Sequence, residues 1–214
     1  MTDHRYRASS TGLILVDPYN DFLSEGGKRW PAVKDVVTDV GLVKNLRRLL
    51  EGCRRAGVRV FYAMHHQSEA GQFDDWKTPS KSNVAMRDLA LFEKGSWGAD
   101  IHPELVPKPG DVMARQHWNS SGFANTDLDF LLKQYGIDHI AVAGMAANTC
   151  VESTGRYGLE LGYHVTYLGD GVATFTREEQ DATIRLNYPR VGHAVLRIDE
   201  FLARITTPLQ VMKV

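Results

Sequence analysis

Six short runs of apolar, β-branched residues punctuate the chain: Leu13–Asp17, Val58–Met64, Asp111–Arg115, His139–Gly144, His164–Gly169 and His193–Ile198. Several lack polar alternation, as strands buried on both faces do. Between them the apolar spacing changes to three and four. Val36–Ala56 carries Val40, Val43, Leu46, Leu50 and Cys53 at that period and stops at Gly57; Thr126–Tyr135, Thr149–Leu161 and Glu178–Tyr188 are further predicted helices. Strands alternating with helices predict an α/β fold, a doubly wound, mostly parallel six-stranded sheet with helices on both faces. One stretch breaks the rhythm. Residues 67–109 are polar and proline-containing, too long for a plain connection, and read as a lid-like insert in a single domain spanning 1–214.

In such sheets ligands bind beyond the carboxyl ends of the strands. This selects Asp17 after the first run, His65 and His66 after the second, Arg115 to His117 after the third, and Cys150 after the fourth. Thr149 followed by Glu152 has the spacing of a capping box, which would make Thr149 the N-cap and Cys150 the first helical residue. A thiol there would face free N–H groups and the positive helix end, favouring the thiolate, and those N–H groups would hold a developing oxyanion. The competing reading of Cys150 is a small buried hydrophobe. Asp17, a carboxylate closing a buried strand, is either a turn-capping residue or a general base.

Composition narrows the classes. The chain has 214 residues, 43% apolar, with a formal charge of −1, which gives no footing for nucleic acid or an anionic membrane. No apolar run reaches the length of a membrane span, and Met1–Ser10 has no apolar signal core, so a cytoplasmic location is expected. The two cysteines, Cys53 and Cys150, are not expected to pair in a reducing compartment, and no Cys/His spacing suggests structural zinc.

Three blocks in order resemble the isochorismatase-like cysteine hydrolases. They are Val16-Asp17-Pro18-Tyr19-Asn20-Asp21-Phe22, then Pro109-Gly110-Asp111-Val112 with Ser121 to Leu128, and Gly144 to Thr154. The resemblance extends over roughly residues 11–205 and includes Gly162–Val165 and Asp170–Ala173. It implies a homo-oligomeric enzyme, without cofactor, that hydrolyses a small amide, ureide or carbamoyl C–N bond. Asp17 and Cys150 would be catalytic, and a cis peptide at Met145–Ala146 would turn the N–H groups of Ala146 and Cys150 to the oxyanion.

The chain departs from the family in three places. The family lysine is absent: no lysine lies between Gly110 and Phe123. Counting forward from Gly110 puts Gln116 in its place, and counting back from Phe123 puts His117 there. Arg115 is a further candidate, and His117 is the best chemical substitute, since its protonated ring would face Asp17 and the thiol. Tyr19 stands where the family often has glutamine. His65-His66 lacks the carboxylate of the family's metal-binding histidine pair, so no metal is expected, and only one of the two histidines should face the crevice. Tyr19, Asn20, Phe22, His65, Trp97, Trp118 and Phe123, with Asn119, are the substrate-binding candidates. Two other readings stay open here: vinyl-ether hydrolysis that needs an acid but no thiol, and a non-catalytic small-molecule binding protein.

Overall fold

The computed structural model describes residues 4–206; the ends of the expected domain, 1–3 and 207–214, lie outside the described residues. Among the described residues there are eight strands: β1 (Tyr6–Arg7), β2 (Thr11–Val16), β3 (Arg59–Ala63), β4 (Val112–Met113), β5 (His139–Met145), β6 (His164–Ala173), β7 (Ala194–Leu196) and β8 (Ile205–Thr206). Six form one sheet in the order β4-β3-β2-β5-β6-β7, and every pairing is parallel. β1 and β8 make a separate ladder that joins the two ends of the described chain. The chain winds outward from β2 to β4, then returns to start again at β5. The switch point therefore lies between the carboxyl ends of β2 and β5, where this topology opens a crevice.

Period-two alternation assigns the sheet's two faces. Leu13 and Leu15 pack on one face with Val60, Tyr62, Ala141 and Ala143; Ile14 and Val16 pack on the other with Phe61, Ala63, Ile140 and Val142. The first face is covered by α2 (Trp30–Val40) and α3 (Leu42–Ala56), which follow the short α1 (Asn20–Leu23), and by α9 (Ile198–Ala203). The second is covered by α5 (Leu128–Gln134), α6 (Glu152–Glu160) and α8 (Tyr188–Val191). Burying each leucine here is worth about 1.5–3 kcal/mol.

The expected helix over 36–56 is two helices. Gly41, in the left-handed region at φ 64°, ends α2 and starts α3; the apolar spacing hides the break because Val40 and Val43 both pack on the core. The helix expected over 178–188 is also composite. It begins as α7 (Arg177–Ala182) behind a capping box of Thr176 and Glu179, loosens into a π turn over Thr183–Asn187, and ends in α8. The insert 67–109 holds α4 (Lys81–Leu89), capped by Ser80 and Asn83, and 3-10 turns at Trp97–Ala99 and Pro103–Leu105. At the amino ends of β5 and β6, the opposite end of the sheet from the crevice, His4, His139 and His193 stack around His164 with ring centroids 4.3–4.9 Å from it.

Candidate active site

β2 delivers Asp17 at its end. The residue is fully buried, at φ 48°. Its Oδ1 accepts hydrogen bonds from the His65 N–H at 2.5 Å and from His117 Nε2 at 3.2 Å, while Oδ2 is buried without a hydrogen-bond partner. A carboxylate so placed depends on those few partners for its burial.

The bridge between β3 and β4 decides which residue reaches Asp17. Ala114 N–H donates to the Tyr62 carbonyl and His117 N–H to the Met64 carbonyl. Two residues of advance along β3 (62 to 64) therefore match three on its partner (114 to 117), a bulge. The bulge absorbs the extra residue that left two counting registers in the sequence. It turns His117 inward, fully buried. Arg115 points to solvent and pairs with Asp127, and the Gln116 amide oxygen accepts from the Gln67 N–H at 3.0 Å. Neither approaches Asp17.

His117 has an acceptor at each ring nitrogen: the Asn119 carbonyl lies 2.6 Å from Nδ1, and Asp17 lies beyond Nε2. Burial alone would lower the basicity of the ring, but the charge and hydrogen bond of Asp17 and the Asn119 carbonyl outweigh it, and the pKa rises above its ordinary value. His65, 4.9 Å away edge-on, goes the other way: burial and the His117 charge pull it down to about 4, against the attraction of Asp17.

β5 delivers Cys150. Gly144, at φ 120°, lets the chain pass against β2: a Cβ there would stand 2.0 Å from the Val16 carbonyl oxygen. The Met145–Ala146 peptide is cis. The polar atoms of Asp17, His117 and Cys150 lie within 4.8 Å of one another, and the Thr149 hydroxyl lies 4.0 Å from Cys150 Sγ.

Two expectations about this turn are corrected. The Thr149–Glu152 capping box does not form. Ala146 is the N-cap, and a π turn over Ala147–Val151 precedes α6, so Cys150 lies inside the first turn. Glu152 is engaged by Arg156 and Asn187 instead. Nor is the thiolate favoured. Burial, then the negative charge of Asp17, push the thiol well above its ordinary range, against smaller opposing effects of Thr149 and Ala146. The resting group is S–H beside a carboxylate. Cys53 is buried in α3, far from solvent.

A cavity of about 220 Å³ opens over Cys150. Asp17, Ala146, Thr149 and His65 line its floor; Phe22, Met86, Leu91, Phe92 and Phe175 form apolar walls, and Arg29, Lys81, Ser82 and Ala85 complete it. Of the sequence candidates for substrate contact, Phe22 and His65 line this cavity. The others do not. Tyr19 lies beneath it, stacked on Phe92 with its hydroxyl donating to the His65 carbonyl at 2.6 Å. Asn20 donates to the Trp97 carbonyl and accepts from Ser24. Trp97 is half exposed, and Trp118 stacks on His66 at 3.9 Å. Phe123 belongs to the core of the opposite sheet face, between Tyr157 and Tyr163. Large aromatic residues attracted attention in the sequence, yet most serve packing. The sequence gives no sign of Arg29, the N-cap of α2, or of Phe175, and only the insert's unusual length points toward Lys81, Met86, Leu91 and Phe92. Phe92 itself is positioned by Asp21, whose Oδ2 accepts its N–H at 2.8 Å across 71 residues.

A crevice at the switch point, with carboxylate, imidazole and thiol converging on a turn rich in small residues, defines a class before any comparison. The family model for the Isochorismatase domain matches residues 11–198. The ureidoacrylate amidohydrolase RutB of Serratia proteamaculans is 30% identical over 214 residues, covering 95% of this chain and 86% of its own. Among solved structures, an isochorismatase-like hydrolase from Alkaliphilus metalliredigens superposes with a TM-score of 0.73 at 28% identity, covering 91% of this chain and 98% of that one. The N-carbamoylsarcosine amidase of Thermoplasma acidophilum gives 0.64 at 27%, covering 89% and 97%. The chain belongs to the isochorismatase family of hydrolases.

Proposed function

We propose that the protein hydrolyses a small amide, ureide or carbamoyl C–N bond through a covalent Cys150 intermediate. The observation that carries this reading is the meeting of Cys150, Asp17 and His117 within 4.8 Å, at the turn that begins at Ala146. Asp17 takes the thiol proton as sulfur attacks the carbonyl carbon. The oxyanion is held by the N–H groups of Ala146 and Cys150. The C–N bond then breaks, and Asp17 passes the proton to the departing nitrogen. Water, deprotonated by Asp17, attacks the thioester; the acid leaves and the thiol is restored. His117 takes the position of the missing family lysine: it orients the carboxylate through Nε2 and balances its charge.

The relatives named for amide hydrolysis support the bond type. The raised thiol pKa supports proton transfer concerted with attack rather than a standing thiolate. Among the described residues no helix is long and apolar enough to cross a membrane. The proposal takes the enzyme to be a cytoplasmic homo-oligomer acting on a small molecule, which sedimentation and cell fractionation check.

The test is ammonia or amine release from a panel of ureido, carbamoyl and simple amide compounds, with mass spectrometry for an acyl adduct on the Cys150 peptide. Turnover lost in Cys150→Ala, together with an adduct in the native enzyme, supports the reading. Turnover that survives Cys150→Ala overturns it and favours thiol-independent vinyl-ether chemistry, while an unreactive pocket that still binds favours a binding protein.

A further inference from the structure

At the other end of β5 from Cys150, a second group of titratable side chains stands outside the hydrolytic site. One ring nitrogen from each of His4, His139 and His164 lies within 4.8 Å of the other two, and all three residues are half-buried. They come from separate segments: His4 precedes β1, His139 opens β5 and His164 opens β6. No local spacing in the sequence marks them as a set.

The hydrogen bonds decide which nitrogens are free. The Asp138 carboxylate only accepts, so His139 donates to it from Nδ1 and presents its lone pair at Nε2. A carboxylate behind the ring is the support that metal-binding histidines use. His4 Nε2 and His164 Nδ1 are buried and have no hydrogen-bond partner. Buried polar atoms are costly in that state, and two of them beside a third free nitrogen call for a common electrophile. His193 differs. It stacks on His164 at 4.5 Å, but its Nδ1 accepts the Val165 N–H at 3.1 Å, which leaves the proton on Nε2 and no lone pair to offer. Burial and the charges of the neighbouring rings hold His164 down to about 4; burial, His139, His193 and Arg204 lower His4. Both rings are therefore mostly neutral at pH 7, the form that ligates.

We propose that His4, His139 and His164 bind one divalent transition metal of the zinc class through three imidazoles, with water completing the shell. Imidazole nitrogen suits zinc, cobalt, nickel and copper; magnesium and calcium take oxygen. Around a tetrahedral zinc with nitrogens about 2.0–2.1 Å from the metal, the ligands stand about 3.4 Å apart. Binding thus draws the three rings together and turns them out of their stack. The metal staples the segment before β1 to the first residues of β5 and β6, and it takes no part in the chemistry at Cys150.

The test uses the full chain, stripped with a chelator, dialysed, and titrated calorimetrically with zinc chloride or magnesium chloride. Expected are one zinc per chain, no comparable magnesium binding, and a Tm raised by about 5 °C or more when free zinc exceeds Kd a hundredfold. Asp17, His117 and Cys150 are also close enough to hold an ion, so cobalt locates the metal without any substitution. The cobalt protein shows a tetrahedral spectrum lacking a thiolate charge-transfer band, and Cys150→Ala binds zinc as native protein does. His139→Asn and His164→Asn each weaken zinc at least about tenfold, while His193→Asn, which removes a stacked ring but no ligand, leaves the affinity unchanged. Circular dichroism shows that each variant is folded. Absence of zinc binding by native protein, magnesium bound as tightly as zinc, or a thiolate band with binding lost in Cys150→Ala overturns the proposal. So does an affinity indifferent to both His139→Asn and His164→Asn, or an equal loss in His193→Asn.

Discussion

His117 Nε2 lies 3.2 Å from Asp17 Oδ1 while its Nδ1 lies 2.6 Å from the Asn119 carbonyl, so the ring stands between two acceptors. Only a doubly protonated imidazole donates to both. The raised pKa extends that state above pH 6.5, and the charge is lost as pH climbs through the folded value. If this cation supports Asp17, kcat/KM falls on the alkaline side with that pKa. His117→Lys moves the alkaline limb upward, and His117→Ala lowers kcat about 10²-fold. A limb unmoved by the lysine would assign it to another group.

Asp17 acts on Cys150 in two opposed ways, and one substitution separates them. Its charge raises the thiol pKa, and in the proposed reaction its basicity removes the proton. In Asp17→Asn, iodoacetamide labelling of Cys150 reaches half its limiting rate at a lower pH than in the native protein, while turnover falls about 10³-fold. Peptide mass spectrometry reads the first and product release the second. Cys53 stays unlabelled in folded protein because it is buried and its thiol is pushed up. Slower labelling in Asp17→Asn would contradict the arrangement.

Gly144→Ala tests the close passage of β5 against β2. The added Cβ meets the Val16 carbonyl oxygen, and the backbone φ of 120° disfavours any side chain. Expected is a loss of about 3 kcal/mol or more in urea unfolding, with turnover lost in whatever protein still folds. A variant of native stability would show that the strands can part there without penalty.

Acid should weaken the fold through its histidines. His65 and His164 are both held down to about 4, His65 by burial and the His117 charge, His164 by burial and the neighbouring histidines. A folded pKa below the unfolded 6.5 means that the unfolded chain binds the proton first. Stability from these groups is therefore intact above pH 6.5 and lost as pH falls to about 4. For the buried His65 the loss is about 3 kcal/mol over that window. Urea midpoints taken from pH 7 to 4.5 should fall less steeply in His164→Asn than in native protein. Parallel curves would remove the cluster from the account.

What the sequence reveals depends on how local the signal is. Ile140–Ala143 and Leu13–Val16 are legible because a strand buried on both faces must be apolar throughout. Asp17 and Cys150 are legible because they close such runs. His117 is half legible: the extra residue shows in the count, but where it bulges depends on hydrogen bonds to Tyr62 and Met64, more than fifty positions earlier. Thr149 and Glu152 have the right identities for a cap, yet the turn at Ala146 starts the helical path three residues sooner. Arg29 and Lys81 carry no local mark at all, since only the folded chain brings both into the lining of one cavity.

Lys81, Met86 and Phe92 belong to the insert, whereas Asp17, His117 and Cys150 lie in the segments that follow β2, β4 and β5. On the proposed mechanism the insert thus adds walls to the cavity, together with Phe22, Arg29 and Phe175, without supplying a bond-breaking group. Recombination or drift within 67–109 can redirect such an enzyme to a new compound while its reaction is inherited unchanged, and a chimera carrying a foreign insert is the natural starting point for changing its selectivity in the laboratory.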